Sequence, residues 1–167
     1  MEHIWDFEEN KNFIKVGKYK VLNFKDAYKA SLLLEKINML ILKTFALIKL
    51  QNIDSPEINL LLTTPFHLQE MQLPKDQGKI IFEGLNKPKN IRSTSKINIG
   101  KDGNLRAGYR LIFLQLRDSN GKLKSIESLK KLIAHELTHT ALNHVKWRDN
   151  DHDNNFNSMN KIIYKHI

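Results

Sequence analysis

Three residues in the segment Leu132 to Leu142 carry chemistry by type and spacing: His135, Glu136 and His139, a His-Glu-x-x-His pattern. On a helix, residues i and i+4 lie about 40° apart around the axis and roughly 6 Å along it. Two imidazoles so placed can hold one metal ion from a single face. Glu136 projects beside them, where it can act on a water at that metal rather than ligate it. A pattern of three fixed residues arises by chance in on the order of one chain in a hundred, so its surroundings must decide.

Those surroundings form a helix. Leu132, Ile133, Leu137, Ala141 and Leu142 make an apolar stripe at helical spacing, which buries one side and leaves the histidines towards a cleft. Ser125 has the side chain of an N-cap, and Glu127 follows in the first turn, where a carboxylate suits the helix dipole. No proline or glycine falls between Ser125 and Val145.

A catalytic zinc site takes three protein ligands and leaves a fourth position to water. No glutamate follows His139, so a downstream Glu ligand is excluded. The pattern with a glycine three residues after the second histidine, and a histidine three further on, fails because Leu142 and Val145 stand there. His144, His152, His166, Asp149, Asp151 and Asp153 remain. His144 falls on another side of the helix or at its end, and His166 sits by the C-terminus, where chains fray. His152 follows a polar run, Arg148 to Asp151, that reads as a loop able to fold back. His152 is therefore taken as the third ligand. The neighbouring aspartates are candidates to orient a ligand imidazole, or else loop acids and a helix N-cap.

His135-Glu-Leu-Thr-His139, a spacer of twelve residues and His152-Asp-Asn-Asn-Phe156 resemble the SprT-like (Spartan-type) metalloproteases and the related WLM metalloproteases. The likeness covers the chain from about residue 128 onward; upstream it is limited to the order of elements. It implies a zincin-like fold and a DNA-dependent protease that clears proteins crosslinked to DNA. It also implies His135, His139 and His152 as zinc ligands and Glu136 as general base. The glycine-containing sequence usual after the third histidine is missing. So is the cysteine-based zinc ribbon many of these proteins carry, since the chain has no cysteine.

With such a ligand set, three neutral imidazoles leave zinc its full charge, which lowers the pKa of bound water towards about 7. Glu136 would take the proton of the attacking water and pass it to the leaving amine. Tyr109, Tyr164, His144 and Arg148 are candidate donors to the developing oxyanion, with nothing to choose among them.

The elements that must position these residues follow from the rest of the chain. Its 167 residues, 41% hydrophobic and 27% charged, fit a single domain, 1–167, with a substantial core. Ala30 to Leu50 places Leu33, Ile37, Leu40, Ile41, Phe45 and Ile48 at helical spacing, with Asp26 as N-cap. Glu35, Lys36, Lys43 and Lys49 rule it out as a membrane span, which needs about 20 nearly uncharged residues. Leu60 to Thr63, Lys79 to Phe82, Ile91 to Ile99 and Tyr109 to Arg117 read as strands, and Phe13 to Phe24 as an added edge. Pro65, Pro74, Gly84, Pro88 and the Gly100 to Gly103 turn signal separate them. In Tyr109 to Arg117 both alternating sets are apolar, the mark of a strand buried on both faces. The expected fold is α+β: an N-terminal long helix, a small mixed or antiparallel sheet, the His-Glu-x-x-His helix and a C-terminal helix.

The net charge is +9, from 27 Lys and Arg against 18 Asp and Glu. Lys87, Lys89, Arg92, Lys96, Lys101, Arg106, Arg110, Arg117, Lys122, Lys124, Lys130 and Lys131 lead up to the motif. Such a concentration is the footprint of phosphate-backbone binding. Trp147, between Lys146 and Arg148, could stack a base of single-stranded DNA. The acidic start, Met1 to Glu9, lacks the layout of a secretion signal, so an intracellular protein is expected. The leading function is a Zn2+ endopeptidase acting on DNA-associated proteins. A zinc peptidase with another target, such as a repressor, and a non-enzymatic nucleic-acid-binding zinc module are the alternatives.

Overall fold

The computed structural model describes residues 12–72, 83–89, 98–99, 105–106, 108–144 and 153–167, with the backbone alone at 98–99 and 105–106. Strands β1 (Phe13–Val16) and β2 (Tyr19–Leu22) pair as a hairpin whose turn holds Gly17 at φ +62°. Helix α1 (Ala27–Leu50) follows, then α2 (Pro56–Thr63) and β3 (Phe66–Glu70). Next come β4 (Gly84–Lys89), the short antiparallel pair β5 (Asn98–Ile99) and β6 (Leu105–Arg106), and β7 (Tyr109–Leu114). Helices α3 (Ile126–Ala141) and α4 (Asn154–His166) complete the chain. The architecture is α+β.

Among the described residues the main sheet has three strands in the order β3-β7-β4 and is mixed: β3 runs parallel to β7, β4 antiparallel. Ile112, Leu114 and Leu116 face one way, into the main core with Ile37 and Ile41 of α1 and Ile133 and Leu137 of α3. Phe113 and half-buried Leu111 face the other way, into a smaller cluster with Met71 and Leu85. β7 is buried on both faces, as its doubly apolar alternation requires.

Three expectations are corrected. Leu60 to Thr63 is not a strand but the second half of α2. Ser55 accepts a hydrogen bond from the Ile58 amide at 3.3 Å, and Pro56 occupies the first turn. A capping serine before a proline starts a helix, and Ile58 and Leu61 then share its buried side. Gly84 and Pro88 do not separate strands; both lie within β4, an outer strand of the sheet, where a proline is tolerated. Asp26 does stand at the start of α1, yet its carboxylate makes no cap hydrogen bond. It is turned to Arg117. The strand and turn expected over 79–82, 91–97 and 100–103 lie outside the described residues.

Arg117 is almost wholly buried. Its Nε donates to Glu70 Oε1 at 2.6 Å, and Nη1 donates to both Asp26 oxygens at 2.7 and 2.9 Å and to the Gly121 carbonyl at 3.1 Å. Phe24 lies against the guanidinium, 4.6 Å from its ring centre. Burial pushes the Glu70 carboxyl above the usual carboxylate range, while the Leu22 amide and Arg117 draw it back. Among the described residues no helix is long and apolar enough to cross a membrane.

Removing one partner of a buried ion pair strands the other charge, at a cost of about 3–5 kcal/mol. Arg117→Met is therefore expected to lower unfolding free energy by that amount in denaturant titration. Pairing it with Glu70→Leu should recover a large part of the loss. Equal destabilisation by the single and double variants would show that the stranded carboxylate is not the cause.

Candidate metal site

The site is built on α3. Ser125 accepts a hydrogen bond from the Ser128 amide at 3.3 Å and starts the helix, with Glu127 in its first turn. Leu129, Ile133, Ala134, Leu137 and Ala141 are buried against the core. This fixes the rotation of the helix, so that His135 and His139 stand half-buried on another side and Glu136 is buried. The imidazoles of His135 and His139 lie 5.0 Å apart, centre to centre, at 75°. One donor atom from each of His135, Glu136 and His139 can be chosen so that all lie within 4.8 Å of one another. Two imidazoles converging with a carboxylate are donors of the type that suits zinc.

The sheet reaches the site through β4. Gly84 lies so close to α3 that a methyl group in place of its hydrogen would stand 2.8 Å from Glu136 Oε1 and 2.9 Å from Leu132 Cδ1. Two residues on, Asn86 Nδ2 donates to the Glu136 carbonyl at 2.6 Å and to Thr140 Oγ1 at 2.7 Å. Asn86 Oδ1 accepts from Arg110 Nη1 at 3.4 Å, and the same nitrogen donates to the His144 carbonyl at 2.6 Å. Arg110 is 1% exposed. Strand, arginine and helix end are thus one hydrogen-bonded unit.

α4 covers the imidazoles. Asp153 caps it, accepting from the Phe156 amide at 2.9 Å. The buried Phe156 ring then packs 5.0 Å from both His135 and His139. Asp153 is thus a helix cap, one of the two roles its position allowed.

Of the remaining candidates, His152 lies outside the described residues, as do Trp147, Arg148, Asp149 and Asp151. His166 bonds the Ile162 carbonyl of its own helix at 2.8 Å. Tyr109 meets His67 edge to face at 5.1 Å, and Tyr164 is exposed on α4. His144 comes to the site, its Nδ1 2.8 Å from His139 Nδ1. The basic run is corrected in part. Arg110 and Arg117 are interior structural cations, not phosphate contacts.

Sequence reasoning misses the roles of Gly84, Asn86 and Arg110. It takes Gly84 for a break and Arg110 for surface charge. A lone glycine inside an otherwise strand-like run is the available signal, because it marks close backbone approach.

No family model, curated protein or solved structure matches the chain.

The contact at Gly84 generates a direct expectation. Gly84→Ala should displace the Glu136 carboxyl and cost about 1–3 kcal/mol of stability, the usual range for overpacking. It should leave zinc binding in equilibrium dialysis intact. Stability equal to wild type would show that the helix and strand have room to spare.

Proposed function

We propose that the chain is a zinc-dependent endopeptidase acting on DNA-bound or DNA-crosslinked proteins, with a zincin-like fold and an intracellular setting. The observation that carries this reading is the convergence of His135, Glu136 and His139, with Glu136 buried between α3 and Gly84. A site that only holds a metal for structure needs no general base, and it normally closes its fourth position with a protein ligand.

On this reading His135 and His139 hold the metal with His152 as third ligand. His152 immediately precedes Asp153, which starts the helix whose Phe156 packs on both imidazoles. Zinc there supplies Lewis acidity towards a carbonyl oxygen and towards water. Glu136 accepts the proton of the attacking water and returns it to the leaving nitrogen. The close approach of Gly84 limits where that carboxylate can swing, and the Asn86 bond to the Glu136 main-chain carbonyl fixes the turn of helix from which it projects.

DNA coupling draws on the positive charge of the chain and on Lys122, Lys124, Lys130 and Lys131 around the start of α3, all at least partly exposed. One observation favours a second reading, a peptidase indifferent to nucleic acid. Two arginines of the basic run are buried, and Lys130 is paired with Glu127 at 2.9 Å.

Cleavage of a histone by zinc-loaded wild type and Glu136→Gln, with and without single-stranded DNA, separates these readings. Loss of about 100-fold or more in the variant is expected for removal of a general base, together with stimulation of wild type by DNA. Cleavage that DNA leaves unchanged would favour the second reading. Activity retained in Glu136→Gln would overturn the assignment of the base.

A further inference from the structure

α3 ends in a way that brings His144 back over the site. Asn143 takes the left-handed conformation, φ +56°. The Asn143 amide donates to the Thr140 carbonyl at 3.1 Å, and the His144 amide to the His139 carbonyl at 3.1 Å. These are the two bonds of a Schellman stop, which places the second residue past the helix against the residue five back. Ordinarily that contact is apolar. Here it joins two imidazoles, Nδ1 to Nδ1, at 2.8 Å.

We propose that His144 is a positioning residue for His139: its Nδ1 accepts the hydrogen on His139 Nδ1, leaving His139 Nε2 as the nitrogen offered to a metal. The inference rests on the metal-binding reading above and adds a residue to it.

The separation decides between a hydrogen bond and shared coordination. Two nitrogens on one tetrahedral zinc, each about 2.0–2.1 Å from it, stand about 3.4 Å apart. At 2.8 Å they are at hydrogen-bond distance. Such a bond requires one protonated and one bare nitrogen. A metal on His139 Nε2 puts the proton on His139 Nδ1, so His144 must carry its own on Nε2. Ligand histidines usually make such a bond through the ring nitrogen that does not bind metal, which fixes the ring's tautomer and orientation.

His144 is itself held in place. Arg110 Nη1 donates to its carbonyl at 2.6 Å, Arg110 Nη2 reaches Asn143 Oδ1 at 3.5 Å, and its ring stacks near-parallel to Phe156, 8° between planes.

Zinc affinity of the full chain, measured by competition with a chromophoric chelator, tests the role. His144→Phe keeps a flat ring against Phe156 but offers no acceptor, and should weaken zinc binding about 10- to 100-fold. His144→Asn, whose side-chain oxygen can stand where Nδ1 stood, should recover most of that loss. Melting curves of the metal-free variants check that the fold survives. Unchanged affinity in His144→Phe would overturn the proposal. So would equal weakening in both variants, which would make the ring a ligand rather than an acceptor. Long-range 15N–1H spectra of zinc-free wild type give an independent readout: His139 should be the Nδ1–H tautomer and His144 the Nε2–H tautomer. The reverse pair would overturn the inference even if zinc binds, whereas a wild type that binds no zinc overturns the metal-site reading itself.

Discussion

A guanidinium cannot give up its proton, so one placed inside a protein must be met by acceptors wherever the chain can supply them. Arg117, just past β7, imposes that demand. Glu70 from the end of β3 and Asp26 from the start of α1 answer it at Nε and Nη1, and the Glu70 carboxylate also accepts the Leu22 amide of β2 at 2.8 Å. Three regions far apart in sequence, Leu22 to Asp26, Glu70 and Arg117, are joined by a single set of charged groups. The apolar contacts of Ile37, Ile112 and Ile133 could slide by a methyl group at modest cost. A directional bond from a buried cation cannot, and so the position of α1 against the sheet is set there.

Arg110 does for α3 what Arg117 does for α1. Both project from the β7 segment, and each ends on groups near a helix terminus. Arg110 engages Asn86, Asn143 and the His144 carbonyl at the close of α3. Asn86 in turn bonds the Glu136 carbonyl, so the turn of helix that carries the carboxylate is tied to β4 as well as packed on it. Gly84 makes that approach possible, since any side chain there would meet Glu136 or Leu132. The geometry of the site is therefore held by polar bonds from the sheet, while the apolar stripe of α3 only sets its rotation.

This division explains what was legible in the residues and what was not. Periodicity reports burial, so α1 and α3 and the doubly buried β7 could be read directly, and Ser125 marked the start of α3. His135, Glu136 and His139 could be read because one helical turn converts their spacing into proximity. Leu60 to Thr63 deceived because a run of leucines suits either a strand or a buried helix, and the deciding signal, Ser55 before Pro56, lay upstream of it. Apart from Arg117 to the Gly121 carbonyl, the Asn86, Arg110 and Arg117 bonds span 24 to 91 positions along the chain, and no local pattern encodes a partner at that distance. An arginine looks the same in sequence whether its charge faces solvent or a carboxylate.

The buried arginines also change what the net charge of +9 can mean. Charge counted along the chain is available to a phosphate backbone only where it reaches the surface, and Arg110 and Arg117 do not. The lysines that do reach it near the motif, Lys130 and Lys131, sit on α3 itself. His135 is four residues beyond Lys131, about 6 Å along the helix axis. That is less than the screening length of about 8 Å at physiological salt. On the proposed reading, DNA held at the start of α3 would present any protein attached to it within reach of Glu136. Proximity on one rigid helix would then couple DNA to cleavage without a conformational change. Coupling of that kind predicts a dependence on ionic strength that follows DNA binding and leaves hydrolysis of a small peptide untouched. A peptide too short to touch DNA should be cut at the same rate at 50 mM and 200 mM salt, values across which phosphate-contacting proteins lose most of their affinity, about 10³–10⁵-fold for 6–10 contacts. Salt sensitivity of the small peptide would instead place the charge effect at the metal site.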